Sequence, residues 1–232
     1  LHLIRQGDFF SIQFDDDELM GSHVRHSEQA LATMTCARLG DRNGRVLIGG
    51  LGMGFTLGAA LSAWGPQAEI VVAELVPEVV TWARGPLAHI FGDSLADPRV
   101  DLEVGDVHDL IARAPDSFDA ILLDVDNGPD GLVQLANERL YCDWGLRSSF
   151  AALRAGGVLA IWSAYSDADF VKRLEKAGFA VEEITIAAEE YNDNVSHTIW
   201  LAAKPGRLPS CLPPMARRNW PNWVGRRFSA RR

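Results

Sequence analysis

A short apolar run, Val46 to Ile48, breaks into four glycines, Gly49, Gly50, Gly52 and Gly54, and resumes as a helix-forming segment from Phe55 to Trp64. No other stretch constrains the chain as much, because it reads as strand, tight turn and helix. Glycine reaches backbone conformations that a side chain penalises, and it lets a ligand approach the main chain itself. Glu74 lies twenty residues past Gly54, at the end of a second apolar run, Ile70 to Ala73. A carboxylate at the tip of a second strand can accept both hydroxyls of a ribose. Loop and carboxylate together predict a nucleoside-containing cofactor on a doubly wound sheet.

Further strands are expected at Val100 to Val104, Phe118 to Leu123 and Val158 to Trp162, the second of them apolar enough for burial on both faces of a parallel sheet. Helices are expected from Ser27 (as N-cap) to Leu39, from Pro77 to His89, from Asp109 to Ala114, within Gly131 to Leu153, and from Asp167 to Ala177 with Gly178 closing the last. Gly156-Gly157 reads as a turn. Two strand-like runs, Ala180 to Ala187 and His197 to Ala203, follow without a helix between them. Five alternating β and α units ending in such a pair predict an α/β fold, Rossmann-like, with a seven-stranded, mostly parallel sheet and an antiparallel C-terminal hairpin. Residues 1–25 form a small β-hairpin segment in this reading, 26–203 the Rossmann-like domain, and 204–232 a basic tail containing proline and tryptophan.

A chain of 232 residues can bury one substantial core. No apolar run approaches the roughly 20 residues of a membrane-spanning helix, and the start does not resemble a signal peptide. Cys36, Cys142 and Cys211 are odd in number and widely spaced, as expected of reduced thiols in a cytoplasmic protein. The net charge of −9 hides an asymmetry: Lys204 to Arg232 holds eight Lys or Arg and no Asp or Glu, leaving fourteen basic against thirty-one acidic groups before it. A body so acidic favours cations and repels polyanions, so nucleic acid is not an expected partner, nor is a membrane. The tail is expected to dock through Trp220 and Trp223 on this body or on a neighbouring subunit.

Acidic residues also end the successive strands: Glu74, Asp106 and Asp124, with Asp126 just beyond. That edge of an open parallel sheet is where ligands bind. Glu74 suits the ribose, Asp106 the adenine amino group, and Asp124 the reacting centre; helix capping is the alternative for Asp106. His89, His108 and His197 read as structural or surface groups, and Trp82, Trp144 and Trp162 as core. Asp124, Asp126 and Asn127 have the oxygen chemistry of a divalent-metal site, but one such cluster is little evidence and no metal is expected.

These motifs resemble the class I S-adenosylmethionine-dependent methyltransferase superfamily and, within it, the spermidine synthase (polyamine aminopropyltransferase) family, over about residues 8–203. The resemblance rests on Val46 to Gly54, Val72-Ala-Glu-Leu75, Gly105-Asp106, and Phe118 to Pro129 with Leu140-Tyr141 following. His26-Ser-Glu28 is similar to the Tyr-Gln-Glu of that family's amine pocket. It implies displacement at a sulfonium carbon by an amine, with S-adenosylmethionine or its decarboxylated form as cofactor and a small-molecule amine as partner; the expected assembly is a homodimer. Implied cofactor contacts are Gly49, Gly50, Leu51, Gly52, Gly54, Glu74, Leu75, Gly105, Asp106, Val107 and Asp124. Implied catalytic positions are Asp124, Asp126 and Asn127, and substrate would meet His26, Glu28 and Asp126.

The chain departs from that family's pattern at three places. The loop's usual Asp falls on Gly52, the proton-accepting Asp falls on Asn127 unless Asp126 serves, and the Tyr of the amine pocket becomes His26. Loss of a carboxylate at Gly52 is expected to leave room for S-adenosylmethionine itself. Methyl transfer to a small molecule, and a non-catalytic cofactor-binding role, therefore stand as alternatives.

Overall fold

The computed structural model describes residues 1–15, 17–125, 127–129, 138–187 and 196–206. Asp126, the expected helical stretch at 131–137, Cys211, and the tail from residue 207 with Trp220 and Trp223 lie outside the described residues. The chain opens with three antiparallel strands, β1 (His2–Gln6), β2 (Phe9–Phe14) and β3 (Asp17–Gly21), forming their own sheet in that order. The expected hairpin thus carries a further strand, which the acidic run Asp15 to Glu18 concealed.

The main sheet contains β4 (Arg45–Gly49), β5 (Glu69–Glu74), β6 (Val100–Val104), β7 (Phe118–Leu123), β8 (Leu153–Ser163), β9 (Ala180–Ala187) and β10 (Ser196–Ala203). Their order is β6-β5-β4-β7-β8-β10-β9, parallel except for β10, which runs antiparallel to both neighbours. This is the expected seven-stranded fold.

Eight helices accompany the strands among the described residues: α1 (His26–Leu39), α2 (Phe55–Ala63), α3 (Pro77–Arg84), α4 (Ala88–Phe91), α5 (Val107–Arg113), α6 (Glu138–Tyr141), α7 (Asp143–Ala152) and α8 (Ala168–Ala177). They make three layers because each central strand is apolar on both faces. Val46 and Ile48 enter one core with α1, α2, α3 and the buried Phe10 and Ile12 of β2. Leu47, between them, enters a second core with α5, α7 and α8. The alternation is the two-residue period of a strand written in a wholly hydrophobic run.

Four local expectations are corrected. Ser27 does not cap α1: Arg25 stands at the cap position without a side-chain cap bond, while Ser27 lies inside the first turn, 1% exposed. The helix expected through His89 stops at Arg84, ahead of Gly85 and Pro86, and resumes as α4; proline disfavours helical backbone at the residue before it. Gly156-Gly157 is no turn, since β8 runs through it, with Gly156 at φ 85° donating its N–H to the Lys204 carbonyl at 3.1 Å. Trp144 is not core; it is 57% exposed and stacks on His108 at 4.5 Å between ring centroids.

Two glycines with left-handed backbone separate conformational strain from crowding. Gly7 has φ 63° and open space where a Cβ would stand, whereas Gly50 has φ 90° and a Cβ there would strike the Asp124 carbonyl. Gly7→Ala is expected to lose about 1 kcal/mol of stability, the left-handed penalty alone. Gly50→Ala is expected to lose about 3 kcal/mol or more, since backbone must also move. Urea unfolding midpoints of the two variants check the difference.

Candidate active site

Main-chain hydrogen bonds carry the parallel sheet one residue past its strands and so line up the residues that matter. Gly50 N donates to Ala73 O at 2.9 Å, Gly105 N to Glu74 O at 2.8 Å, and Asp124 N to Gly49 O at 2.9 Å. The tips of β4, β5, β6 and β7 therefore lie abreast. A pocket opens over them with Gly50, Gly52, Leu75 and Val107 on its surface and the carboxylates Glu74, Asp106 and Asp124 in its wall. Its roof is apolar: Ile12, Phe14, Leu19 and Met20 come from the N-terminal sheet.

Glu74 is 7% exposed and braces the loop directly, since its Oε2 accepts Leu51 N–H at 2.9 Å and its Oε1 accepts Val76 N–H at 2.8 Å. Burial raises its pKa above the usual carboxylate value, and these backbone donors oppose the rise. The amides of Gly52 and Leu75 bear on the same carboxylate, so Glu74 ties the loop after β4 to the turn after β5.

Asp106 follows its capping alternative. Oδ1 accepts the His108 N–H at 2.8 Å at the start of α5, and Oδ2 is ion-paired with Arg139 of α6. Arg139 had no signal in the sequence, because nothing local ties it to a strand end 33 residues away.

Asp124 sits half-buried at the tip of β7, and its pKa is pushed up to about 7 by burial first and by the facing carboxylate of Glu28 second. Thr56, in the first turn of α2, opposes this: its Oγ1 lies 2.5 Å from Asp124 Oδ2 and 3.2 Å from the Glu28 carbonyl. A hydroxyl has one proton and two lone pairs, so the contact survives either state of the acid. Ionised Asp124 accepts from Thr56; protonated Asp124 donates to Thr56, which then donates to the Glu28 carbonyl. Thr56 escaped the sequence reading because threonine near the start of a helix is commonplace.

Of the residues expected to meet substrate, Glu28 faces Asp124 from α1, while His26 is exposed at that helix's first residue. Asn127 is anchored by its carbonyl, which accepts Ala164 N–H at 3.1 Å. Above Gly52 stands the flexible end of Met20: a Cβ there would lie 2.8 Å from Met20 Cε and 2.9 Å from its Sδ. His197, read as structural or surface, lies at this edge too, with Nδ1 2.9 Å from Ser27 Oγ. The antiparallel course of β10 brings its first residues to the tips of the parallel strands. Among the described residues no group of three or more His, Cys, Asp or Glu could hold a metal ion, and no helix is long and apolar enough to cross a membrane.

The comparisons with known proteins agree with this architecture. No family model matches the chain. It is 30% identical over 92 residues to a polyamine aminopropyltransferase of Nitrosomonas europaea, a match covering 40% of this chain and 27% of that enzyme. A spermidine synthase solved in complex with the transition-state analogue AdoDATO superposes with a TM-score of 0.70 at 18% identity, covering 87% of this chain and 69% of that one. The 1,6-didemethyltoxoflavin-N1-methyltransferase of Burkholderia thailandensis, solved with S-adenosylhomocysteine, gives a TM-score of 0.54 at 21% identity over 78% of this chain and 79% of that one. The chain thus resembles spermidine synthases and has the class I methyltransferase fold.

The raised pKa of Asp124 fixes the sign of a pH effect on stability. Between the ordinary carboxylate pKa of about 4 and the folded value of about 7, the folded chain binds the extra proton, so this group's contribution to stability falls as pH rises through that window. Asp124→Asn is therefore expected to be close to neutral at pH 4 and stabilising by a few kcal/mol at pH 8. Urea titrations of both proteins across pH 4 to 8 check this, and parallel curves would contradict the assignment.

Proposed function

We propose that this chain is a transferase that uses an adenosyl sulfonium compound to alkylate a cationic amine, with aminopropyl transfer from decarboxylated S-adenosylmethionine as the favoured reaction. The observation that carries this reading is the pair of carboxylates formed by Asp124, in the wall of the glycine-loop pocket, and Glu28, which faces it from α1, with the pKa of Asp124 pushed up to about 7. The pocket fits an adenosyl group. Gly50 has no room for a side chain, Glu74 sets a carboxylate in the wall beside the loop, and the roof is apolar.

When bound, the sulfonium supplies an electrophilic carbon and a neutral thioether leaving group. The chain's part is to align the amine and take its proton. An ammonium ion has no lone pair with which to attack, so a proton must leave first; a carboxylate with a pKa near 7 accepts it more readily than an ordinary aspartate. Glu28 holds the charge of the amine while Asp124 receives the proton. The nitrogen then forms its bond to carbon as the carbon–sulfur bond breaks, and the electron pair stays on sulfur. No Lys or Arg lines the pocket among the described residues, and Arg139 is already ion-paired with Asp106, so a free α-carboxylate would face Glu74 and Asp124 without a cation of its own. This supports the decarboxylated form.

Methyl transfer from S-adenosylmethionine is the second reading, and Gly52 favours it. A glycine at that position offers no carboxylate to anchor the ammonium of an aminopropyl chain, and Met20 covers it with a thioether.

Calorimetric titration with S-adenosylmethionine, its decarboxylated form and methylthioadenosine is expected to show binding, tightest for a ligand without the carboxylate. With putrescine as acceptor the expected product is methylthioadenosine; release of S-adenosylhomocysteine would mark methyl transfer instead. Asp124→Ala is expected to slow turnover by about 100-fold or more, the usual share of a general base. Binding of none of the three compounds would refute the proposal.

A further inference from the structure

Glu28 can hold an amine's charge beside Asp124 only if its carboxylate is kept in one direction. Glu28 lies in the first turn of α1, where a long carboxylate side chain ordinarily has several rotamers and faces water. Here Ser27 Oγ donates to its Oε2 at 2.7 Å. Ser27 is 1% exposed, so its hydroxyl depends on protein partners. Its single proton is committed to Glu28, and it must therefore accept from its other neighbour, His197 Nδ1, at 2.9 Å. The order of donors is then fixed: His197 Nδ1–H to Ser27 Oγ, and Ser27 O–H to Glu28.

His197 is itself restrained. It stands near the start of β10, in register with Ile186 of β9, and its ring lies 4.9 Å from that of Trp162 on β8. Imidazole, hydroxyl and carboxylate thus run from β10 to α1, and end at the carboxylate that faces Asp124.

We propose that His197 is a positioning residue that acts through Ser27 to aim the Glu28 carboxylate at the amine approaching Asp124. The inference rests on the amine-alkylating reading and extends it to a residue outside the motifs that carry the resemblance. A histidine serves here because its Nδ1–H is short, directional and held by a flat ring that packs on Trp162. A residue that cannot donate would release Ser27 to rotate, and Glu28 with it.

Two measurements on the full chain test this. Nitrogen-15 spectra of the histidine rings are expected to show His197 protonated at Nδ1 at pH 8, and that signal is expected to move in both Ser27→Ala and Glu28→Gln. An unchanged His197 spectrum in both variants, with melting temperatures showing them folded, would overturn the hydrogen-bond chain whatever the activity. Calorimetry with putrescine in the presence of methylthioadenosine then reads the consequence. His197→Phe is expected to weaken putrescine binding roughly tenfold, the worth of one misaligned charge-assisted hydrogen bond, with methylthioadenosine affinity unchanged. His197→Asn places an amide N–H where Nδ1 stood and is expected to restore putrescine binding to within about twofold. Equal weakening by Phe and Asn, or none by either, would refute the positioning role. A wild-type chain that binds methylthioadenosine but no putrescine would refute the amine reading itself, and so separates that failure from this one.

Discussion

The clamp of Glu74 on the glycine loop is the interaction on which the rest of the site depends. One carboxylate, almost wholly buried, accepts the amide of Leu51 from the loop after β4 and the amide of Val76 from the turn after β5. Taking a carboxylate out of water is unfavourable unless its lone pairs are satisfied, and two backbone donors do that here. The same two bonds fix the loop's height above the sheet. The loop in turn sets Gly50 under the Asp124 carbonyl and leaves Gly52 to be covered by Met20. A single side chain in the wall of the pocket thus joins the tips of β4 and β5.

What the sequence made legible follows from how local each signal is. The central strands β4, β5 and β7 were readable from continuous apolar runs, since burial on both faces leaves no polar position, and the C-terminal pair from two strand-like runs with no helical pattern in the sequence between them. Strand-end carboxylates were readable as a group because the register of a parallel sheet brings chain-distant tips abreast. The break of the helix at Gly85-Pro86 is local, but the site residues that the sequence hid share another cause. Ser27 has the chemistry of an N-cap, and only the position of α1 against β10 shows that its hydroxyl is spent on a side chain. Arg139, Thr56 and His197 join the site through hydrogen bonds that span 33, 68 and 170 residues of sequence. No local pattern encodes such distances.

The N-terminal sheet belongs to the pocket as much as the Rossmann-like body does. Phe10 and Ile12 enter the core, while Ile12, Phe14, Leu19 and Met20 face the pocket. An apolar roof over acidic walls lowers the local dielectric and strengthens each charge interaction beneath it. The elevated pKa of Asp124 depends on this enclosure as well as on Glu28.

The place of β10 bears on the order in which the molecule is built. It slots between β8 and β9, although both precede it in the chain, and it carries His197 to the first turn of α1. Strands β4 to β7, with the loop that would cradle an adenosyl group, depend on pairings that close within the first 125 residues. The hydrogen bond between Ser27 and His197 closes a loop of 170 residues and can form only after nearly the whole domain has left the ribosome. A nascent chain thus has its glycine loop and Glu74 in place well before its acidic pair is aligned, and a chain lacking β10 would keep the loop and lack the alignment.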